Sequence, residues 1–346
     1  MKAALIGAGQ IARQHLACLK TLPDVELAAI CDLSPATAEA AAQRYGIGAW
    51  FTDHRVMLEN VRPDVVHVTT PPTSHFELAL DSVNAGAHVI VEKPATPTFE
   101  ELETLLERAQ RAGRHFVEDH NYLFNSATQE ILRRIESGDF GAVTHVEVLI
   151  CLDILGPDGF ADPNAPHPVL SLAGGAIADF LPHLASLAHL FVGAHRTAQT
   201  VWTKRKDGPL PYDEFRGLVD AERGTAALGF SASSQPDGFW LRVYGERMSA
   251  GANLFETRLT FDGPRNVPKP LRPFFSALDE AKTVRRAALT TLLRKFKGPG
   301  AYEGLWELLG RTYRALAEQS ALPITARDVL EVNQMVEALK PKEQPL

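Results

Sequence analysis

Short apolar runs and turn residues alternate along the first third of the chain. Buried strands are predicted at the runs 3–6, 25–31, 64–69, 88–91 and 115–117. Helix signals lie between them, namely the N-cap pair Ser34–Pro35, the helix-ending Gly46, and the capping box from Thr98 to Glu101. Strands that alternate with helices at these lengths predict an α/β fold with a doubly wound parallel sheet.

The pattern changes near residue 120. Further strands are predicted at 143–152, 197–204, 215–222, 225–232, 239–244 and 254–262. Helices are predicted at 127–136, 177–191, 302–319 and 326–339, and a long loop at 154–170. A run of successive strands is typical of an antiparallel or mixed sheet. We therefore expect two domains, 1–120 and 121–346, with a terminal helix that could pack back on the first domain.

The bulk composition is that of an ordinary globular protein. The chain has 346 residues, 45% of them hydrophobic, and a net charge of −7, which argues against nucleic-acid binding. Its cysteines, Cys18, Cys31 and Cys151, lack C-x-x-C spacing and are predicted to be reduced core residues. The sequence has no apolar run of membrane-spanning length, and a strand that starts at residue 3 leaves no room for a signal peptide. A cytoplasmic protein is expected.

The region 264–300 departs from both patterns. It contains four prolines between 264 and 273 and then a basic stretch from Lys282 to Lys297, with apolar residues at 287–293 between the charges. A basic amphipathic helix of this kind can lie on an anionic membrane surface. Such helices are more often a solvated face or an oligomer contact, so these interpretations remain open.

The turn after the first predicted strand carries a phosphate-binding pattern. Residues 7–12, Gly-Ala-Gly-Gln-Ile-Ala, match G-x-G-x-x-A and open a helix. Gly7 permits the tight turn, and Gly9 lets a pyrophosphate approach the backbone. Gln10 and Ile11 lie at the helix N-terminus, where free N–H groups would bind the phosphates. The motif predicts a dinucleotide site; the alternative is a plain strand–helix turn.

An acidic residue supports this prediction and indicates which dinucleotide binds. Asp32 ends the second predicted strand, 32 − 7 = 25 positions after Gly7. A carboxylate there can accept hydrogen bonds from both ribose hydroxyls, and it would repel a 2′-phosphate. The nearest downstream cation is Arg44, which is expected at the far end of a helix. NAD is therefore favoured over NADP.

Two further groups of residues are candidates for chemistry. Lys93 follows a predicted strand at the sheet edge where ligands bind, and could stabilise charge on a substrate oxygen. Asp179 and His183 are four residues apart and would share one helix face, as in a general base oriented by a carboxylate. A solvent-exposed turn lysine and a non-catalytic Asp–His pair are the alternatives.

Together these motifs resemble the Gfo/Idh/MocA family of oxidoreductases, which includes inositol dehydrogenases and glucose–fructose oxidoreductase. The resemblance spans essentially the whole chain and is carried by five segments: 7–12, Thr70-Pro-Pro-Thr-Ser-His75, Glu92-Lys93-Pro94, His120-Asn121-Tyr122, and Gly174-Gly175 with Asp179 and His183. It implies a Rossmann domain followed by an α/β domain with a large, open, mostly antiparallel sheet.

The resemblance also implies an activity, hydride transfer between a nicotinamide and a hydroxyl-bearing carbon of a sugar, sugar derivative or cyclitol. Lys93 would bind the reacting oxygen, His183 would be the acid/base, and Asp179 would position the substrate or that imidazole. The remaining cofactor-binding residues implied are Thr70, Pro71, His75, Glu92 and Asn121. An open sheet face predicts a homodimer or homotetramer.

Some positions depart from the family pattern. Leu123 stands where the family often has Arg, and Ser126 where it often has Pro. Leu181 replaces a glycine and could narrow the substrate pocket. Pro182 predicts either that the helix starts near Asp179, with Asp179 as a possible N-cap, or that the helix is kinked.

Other histidines are also candidates. His167, in the predicted loop, could close over a substrate, although a surface position is the simpler interpretation. His115, His120 and His145 lack metal-ligand spacing, so no metal is expected.

Two alternatives to a simple dehydrogenase stay open. One is an enzyme that oxidises a sugar transiently on a tightly held NAD, eliminates a glycosidic group, and releases no NADH. The other is a non-catalytic NAD-binding sensor or subunit, to which the departures at Leu123, Leu181 and Pro182 lend weight.

Overall fold

The structure is a computed structural model of the chain. It describes residues 1–156, 159, 174–256, 258–264, 267–297 and 302–341. The chain divides into two compact units. The first consists of Met1–Asn121 and Leu305–Leu330, and the second of Tyr122–Gly304 and Glu331–Leu346.

The first unit contains a six-stranded parallel sheet. Its strands are β1 (Lys2–Ile6), β2 (Glu26–Cys31), β3 (Trp50–Phe51), β4 (Val65–Val68), β5 (His88–Val91) and β6 (Phe116–Glu118). Their order is β3-β2-β1-β4-β5-β6, which is the order of a Rossmann fold. The order reverses between β1 and β4, so a ligand site is expected beyond the carboxyl ends of these two strands.

Helices connect these strands as the sequence signals predict. They are α1 (Ala12–Leu19), α2 (Pro35–Tyr45), α3 (His54–Val61), α4 (His75–Asn84) and α5 (Phe99–Arg111). Ser34 caps α2 by accepting a hydrogen bond from the Thr37 amide, and Gly46 ends this helix in the left-handed conformation. Thr98 and Glu101 form the predicted capping box at the start of α5.

The second unit contains a seven-stranded mixed sheet. Its strands are β7 (Val143–Cys151), β8 (His195–Thr203), β9 (Glu214–Ala221), β10 (Thr225–Ser231), β11 (Gly238–Gly245), β12 (Ser249–Asn253) and β13 (Arg258–Asp262). Their order is β13-β12-β11-β7-β10-β9-β8. β7 and β10 are parallel, and the other neighbouring pairs are antiparallel. The predicted fold class is confirmed.

One predicted strand in this sheet was wrong. Residues 254–262 were expected to form a single strand, but Leu254–Glu256 belong to the turn between β12 and β13. β12 has the sequence Ser-Ala-Gly-Ala-Asn, which carries little β-propensity, and it pairs with β11 and β13 on its two sides. Tertiary pairing therefore decides its conformation.

The remaining helices are α6 (Ser126–Glu136), α7 (Gly175–Val192), α8 (Arg272–Lys297), α9 (Glu303–Glu318) and α10 (Ala326–Leu339). α7 packs on β7 and β10 and supplies much of the second unit's apolar core, including Leu181, Leu184 and Leu187. α8 is the helix predicted in the basic region, and Phe274 and Leu278 on it are 60% and 42% exposed.

The three cysteines and most of the apolar helix α7 are buried. All three cysteines are buried and unpaired, as predicted. Among the described residues, α7 alone is long and apolar enough to cross a membrane, and 72% of it is buried inside the second unit. This burial is typical of a core helix.

Candidate active site

The glycine-rich turn lies at the carboxyl end of β1, next to the end of β4. Gly7 has a φ of +94°, and a Cβ there would lie 2.8 Å from Thr70 Cγ2 and 2.9 Å from the carbonyl of Thr69. The Thr69 hydroxyl donates a hydrogen bond to the Gly7 carbonyl at 2.8 Å. Only glycine fits this turn, and its role is to join the two strand ends.

Gly9 is a glycine for a different reason. A Cβ at Gly9 would have no atom of the described residues within 4 Å. The following helix α1 has Ile11 at its N-cap position, no side-chain cap among the described residues, and no acidic residue in its first turn. The N–H groups of Arg13 and Gln14 already donate to the carbonyls of Gln10 and Ile11, so an anion would be bound by N–H groups that precede them in the turn. The open space above Gly9 fits the pyrophosphate of a dinucleotide.

Asp32 is held beside this turn. Its Oδ2 accepts a hydrogen bond from the Ala8 amide at 2.8 Å, and its Oδ1 accepts one from the Ser34 amide at 2.9 Å. Each carboxylate oxygen has two acceptor positions, so both can also accept from a ribose hydroxyl. Arg44 lies in the last turn of α2, as predicted, with its guanidinium 5.7 Å from the centre of the Tyr45 ring. These contacts are compatible with NAD.

A second loop adjoins the glycine turn and is held by His75. The ring nitrogens of His75 lie 2.8 Å from the carbonyl oxygens of Thr70 and Pro94. Burial lowers the pKa of His75, and the two carbonyls oppose this shift. The ring thus ties the loop after β4 to the loop after β5, which carries Lys93.

Lys93 is half-buried and lies two residues after the end of β5. Its positive charge favours ionisation of two buried carboxyl groups, Glu92 and Asp119. Burial opposes ionisation of Glu92, but His15 and Lys93 hold the pKa of Glu92 below its usual range. Burial and the charge of Glu92 raise the pKa of Asp119 well above its usual range. Glu92 is therefore the ionised member of this pair, and Asp119 keeps its proton.

Sequence reasoning missed the side chains behind Glu92. His15 Nε2 lies 3.0 Å from Glu92 Oε1, His15 Nδ1 lies 2.9 Å from His67 Nδ1, and His67 Nε2 lies 2.8 Å from the Tyr313 hydroxyl. Asp119 Oδ2 is 4.0 Å from His15 Nε2. His67 and Tyr313 are 246 positions apart, so no local pattern could have paired them.

In the second unit, Asp179 and His183 lie one turn apart on α7, as their spacing predicts. α7 already begins at Gly175, which excludes the alternative in which the helix starts near Asp179 with Asp179 as its N-cap, and Pro182 lies inside the helix. Because Pro182 has no N–H, the carbonyl of Ala178 receives no helical hydrogen bond from it.

Aromatic rings surround His183, which is 6% exposed. The Tyr122 ring meets the imidazole edge-on with centroids 4.8 Å apart, and Phe180 lies 5.9 Å away. Leu181 is fully buried in the core of the second unit, so it fills that core and does not narrow a surface pocket. Leu123 also packs against this core.

The other predicted residues fall in different places. His167 lies outside the described residues. His115 stacks on His88 with centroids 5.1 Å apart, His120 lies 3.3 Å from Glu118, and His145 lies 2.8 Å from the Thr225 hydroxyl. Asn121 lies three residues after the end of β6, and its buried Oδ1 has no hydrogen-bond partner among the described residues.

Comparison with known proteins shows what the N-terminal part of the chain is similar to. Residues 1–120 match the family model described as the oxidoreductase family with an NAD-binding Rossmann fold, GFO_IDH_MocA. Residues 1–120 are therefore similar to the NAD-binding domain of the Gfo/Idh/MocA oxidoreductases, as the motifs predicted.

Individual proteins also show similarity to part of this chain. The chain is 35% identical over 144 residues to D-glucoside 3-dehydrogenase of Escherichia coli K12, covering 41% of each protein. It is 28% identical over 144 residues to inositol 2-dehydrogenase of Salmonella typhimurium, covering 41% of this chain and 43% of that protein. The alignments thus span about two fifths of these curated relatives.

The fold of the whole chain has solved counterparts. The WlbA dehydrogenase from Bordetella pertussis, crystallised with NADH and UDP-GlcNAcA, superposes with a TM-score of 0.79. The match covers 98% of this chain and 94% of that one at 20% sequence identity. At this identity the comparison establishes the fold of both units.

Proposed function

We propose that this protein is an NAD-dependent dehydrogenase or reductase that acts on a hydroxyl-bearing carbon of a sugar, sugar derivative or cyclitol. The observation that carries the proposal is the open space above Gly9, because no described packing contact explains a glycine at this position. This space adjoins the N-terminus of α1, which has no side-chain cap, and the carboxylate of Asp32. The named activities of the relatives, on a glucoside and on inositol, support the substrate class.

The glycine turn, Asp32 and the loop from Thr70 to His75 would hold the cofactor. NAD bound there supplies a hydride acceptor for the carbon that is oxidised. Lys93 would hold the substrate oxygen by hydrogen bonding and stabilise its negative charge as the hydroxyl proton leaves. His183 would accept or return that proton, and Asp179 would position the substrate or the imidazole.

The direct test is NAD-linked absorbance of the purified protein with a panel of cyclitols, aldoses, glycosides and nucleotide sugars. NADH formation with one class would establish the activity and identify the substrate. NAD binding without NADH formation on any of them would contradict a dehydrogenase and favour transient oxidation or a non-catalytic role. Absence of NAD binding would contradict the cofactor assignment itself.

Removing the Lys93 amine tests its role in the reaction. Lys93→Ala should lower kcat by roughly a hundredfold or more, because the substrate oxygen loses its charge partner, while the Kd for NAD stays unchanged. Lys20→Ala removes an exposed cation from the same unit and serves as the control. An equal loss of NAD affinity in Lys93→Ala would make Lys93 a cofactor-binding residue instead.

A further inference from the structure

Five buried side chains of the first unit form one connected polar cluster behind Lys93. Its members come from α1, β4, the end of β5, the segment after β6, and α9, and they are His15, His67, Glu92, Asp119 and Tyr313. Each is 9% exposed or less. Such a cluster inside an apolar domain is costly unless its hydrogen bonds are satisfied.

The hydrogen positions follow from the contacts. An ionised Glu92 can only accept, so His15 Nε2 donates to it. His15 Nδ1 and His67 Nδ1 lie 2.9 Å apart and share one hydrogen. If His67 supplies it, then His67 Nε2 accepts from the Tyr313 hydroxyl. If His15 supplies it, the Tyr313 hydrogen has no acceptor among the described residues, so the first arrangement is the satisfied one.

The electrostatics agree with this direction. Burial lowers the pKa of His67 well below its ordinary value, so this ring is neutral and carries a single N–H. Burial raises the pKa of Tyr313 well above its ordinary value, so the hydroxyl keeps its hydrogen. The pKa of Glu92 is lowered despite its burial, and the hydrogen bond from His15 contributes to this shift.

We propose that Tyr313, His67 and His15 form a one-directional hydrogen-bond chain that holds the Glu92 carboxylate ionised beside Lys93. His15 is then a positioning residue for the reaction, since it acts on Lys93 through Glu92. The proposal rests on the proposed function, because it assigns Lys93 to the reaction.

This hydrogen-bond chain stabilises the negative charge of Glu92 and does not conduct protons. Moving protons along the chain from Tyr313 towards Glu92 would reverse every donor, protonate Glu92 and leave a tyrosinate that buried surroundings disfavour. A metal site is also a poor fit, although His15, Glu92 and Asp119 place one ligand atom each within 4.8 Å of one another. The 3.0 Å contact between His15 and Glu92 is a hydrogen bond, and His67 occupies the other ring nitrogen.

The pH dependence of kcat/KM is the functional readout. Glu92 faces His15 from α1, His75 from α4, Asp119 from the end of β6, and Lys93 beside it. Without the His15 donor the pKa of Glu92 rises, so Glu92 becomes protonated at higher pH. In His15→Leu the acid limb should therefore move up by about one pH unit or more.

Two milder variants protect the test against a folding defect. His15→Gln retains an N–H donor for Glu92 and should restore most of the wild-type profile. Tyr313→Phe removes only the far hydroxyl and should move the limb in the same direction by less. Tyr45→Phe removes a hydroxyl that donates to the Arg13 carbonyl outside this cluster, and should leave the profile unchanged. A wild-type profile in both His15→Leu and Tyr313→Phe would overturn the proposal.

Nitrogen-15 NMR of histidine-labelled protein tests the chain independently of turnover. The proposal requires the Nε2–H tautomer of His15 and the Nδ1–H tautomer of His67 at pH 7. An imidazolium at His15, the opposite tautomers, or a bound metal ion in the purified protein would overturn it. The expected tautomers together with no NAD-linked turnover would leave the chain intact and contradict only the proposed function.

Discussion

At the scale of single residues, the fold requires a glycine at position 7, whereas only the proposed ligand requires one at position 9. A Cβ at Gly7 would collide with the backbone of Thr69, whereas one at Gly9 would meet no described atom within 4 Å. Gly9→Ala should therefore leave the free energy of unfolding unchanged or raise it by up to about 1 kcal/mol. The same methyl should weaken NAD binding at least about tenfold, since it fills the space proposed for the pyrophosphate.

Thermal unfolding and calorimetric NAD titration measure the two effects separately. Gly7→Ala is the matched variant and should lose both stability and NAD affinity, because its positive φ and its collision affect the fold itself. Gly9→Ala that binds NAD as tightly as the wild type would show that the cofactor does not approach this backbone.

Asp32 is the residue that should decide between the two dinucleotides. Its neighbour Leu33 is 93% exposed, so a basic side chain can replace it without disturbing any packing. Asp32→Ser combined with Leu33→Arg removes the repulsion of a 2′-phosphate and adds a cation for it. The ratio of the Kd for NADP to that for NAD should fall at least about tenfold.

The single substitution Leu33→Arg is the control for this change, and it should move the ratio less because the carboxylate remains. Calorimetry with both cofactors measures the two constants without a known substrate. An unchanged ratio in the double variant would mean that Asp32 does not set the preference, and its contacts with Ala8 and Ser34 would then be purely structural.

At the scale of elements, local signals predicted well where a few neighbouring residues decide the structure. The cap at Ser34, the capping box at Thr98 and the glycine turn each act within about five residues, and each is present in the structure. The alternation of strands and helices likewise predicted five of the six strands of the first sheet, and the short β3 was missed. Where packing decides, prediction was weaker, and β12 was missed.

The polar cluster shows the limit of sequence reasoning at the candidate site. The strand-end motifs point to Lys93 and Glu92 because these residues share a short segment. Nothing in the sequence joins His15 to His67 or to Tyr313, because α1, β4 and α9 are far apart along the chain and meet only in the folded unit. The residues predicted to act are therefore found from sequence motifs, whereas the residues that support them are found only from the structure.

At the scale of the whole molecule, the first unit is completed by a distant part of the chain. Leu305–Leu330 belong to the same unit as Met1–Asn121, although about 180 residues separate the two segments. On α9, Leu305, Leu308 and Leu309 are fully buried. Each such side chain contributes roughly 1.5–3 kcal/mol, so together they approach the net stability of a typical domain. The Rossmann sheet therefore depends on this returning helix.

A single substitution on α9 tests that dependence. Leu309→Ala should lower the free energy of unfolding by about 2–5 kcal/mol, because it leaves a cavity in a fully buried position. Arg311→Ala on the same helix, whose side chain is 41% exposed, should change it by less than about 0.5 kcal/mol. The proposed NAD site lies in the unit that α9 completes, so NAD at 100 times its Kd should restore about 2.7 kcal/mol to Leu309→Ala. A destabilised Leu309→Ala protein whose Tm does not rise with NAD would show that α9 supports a part of the molecule other than the cofactor site.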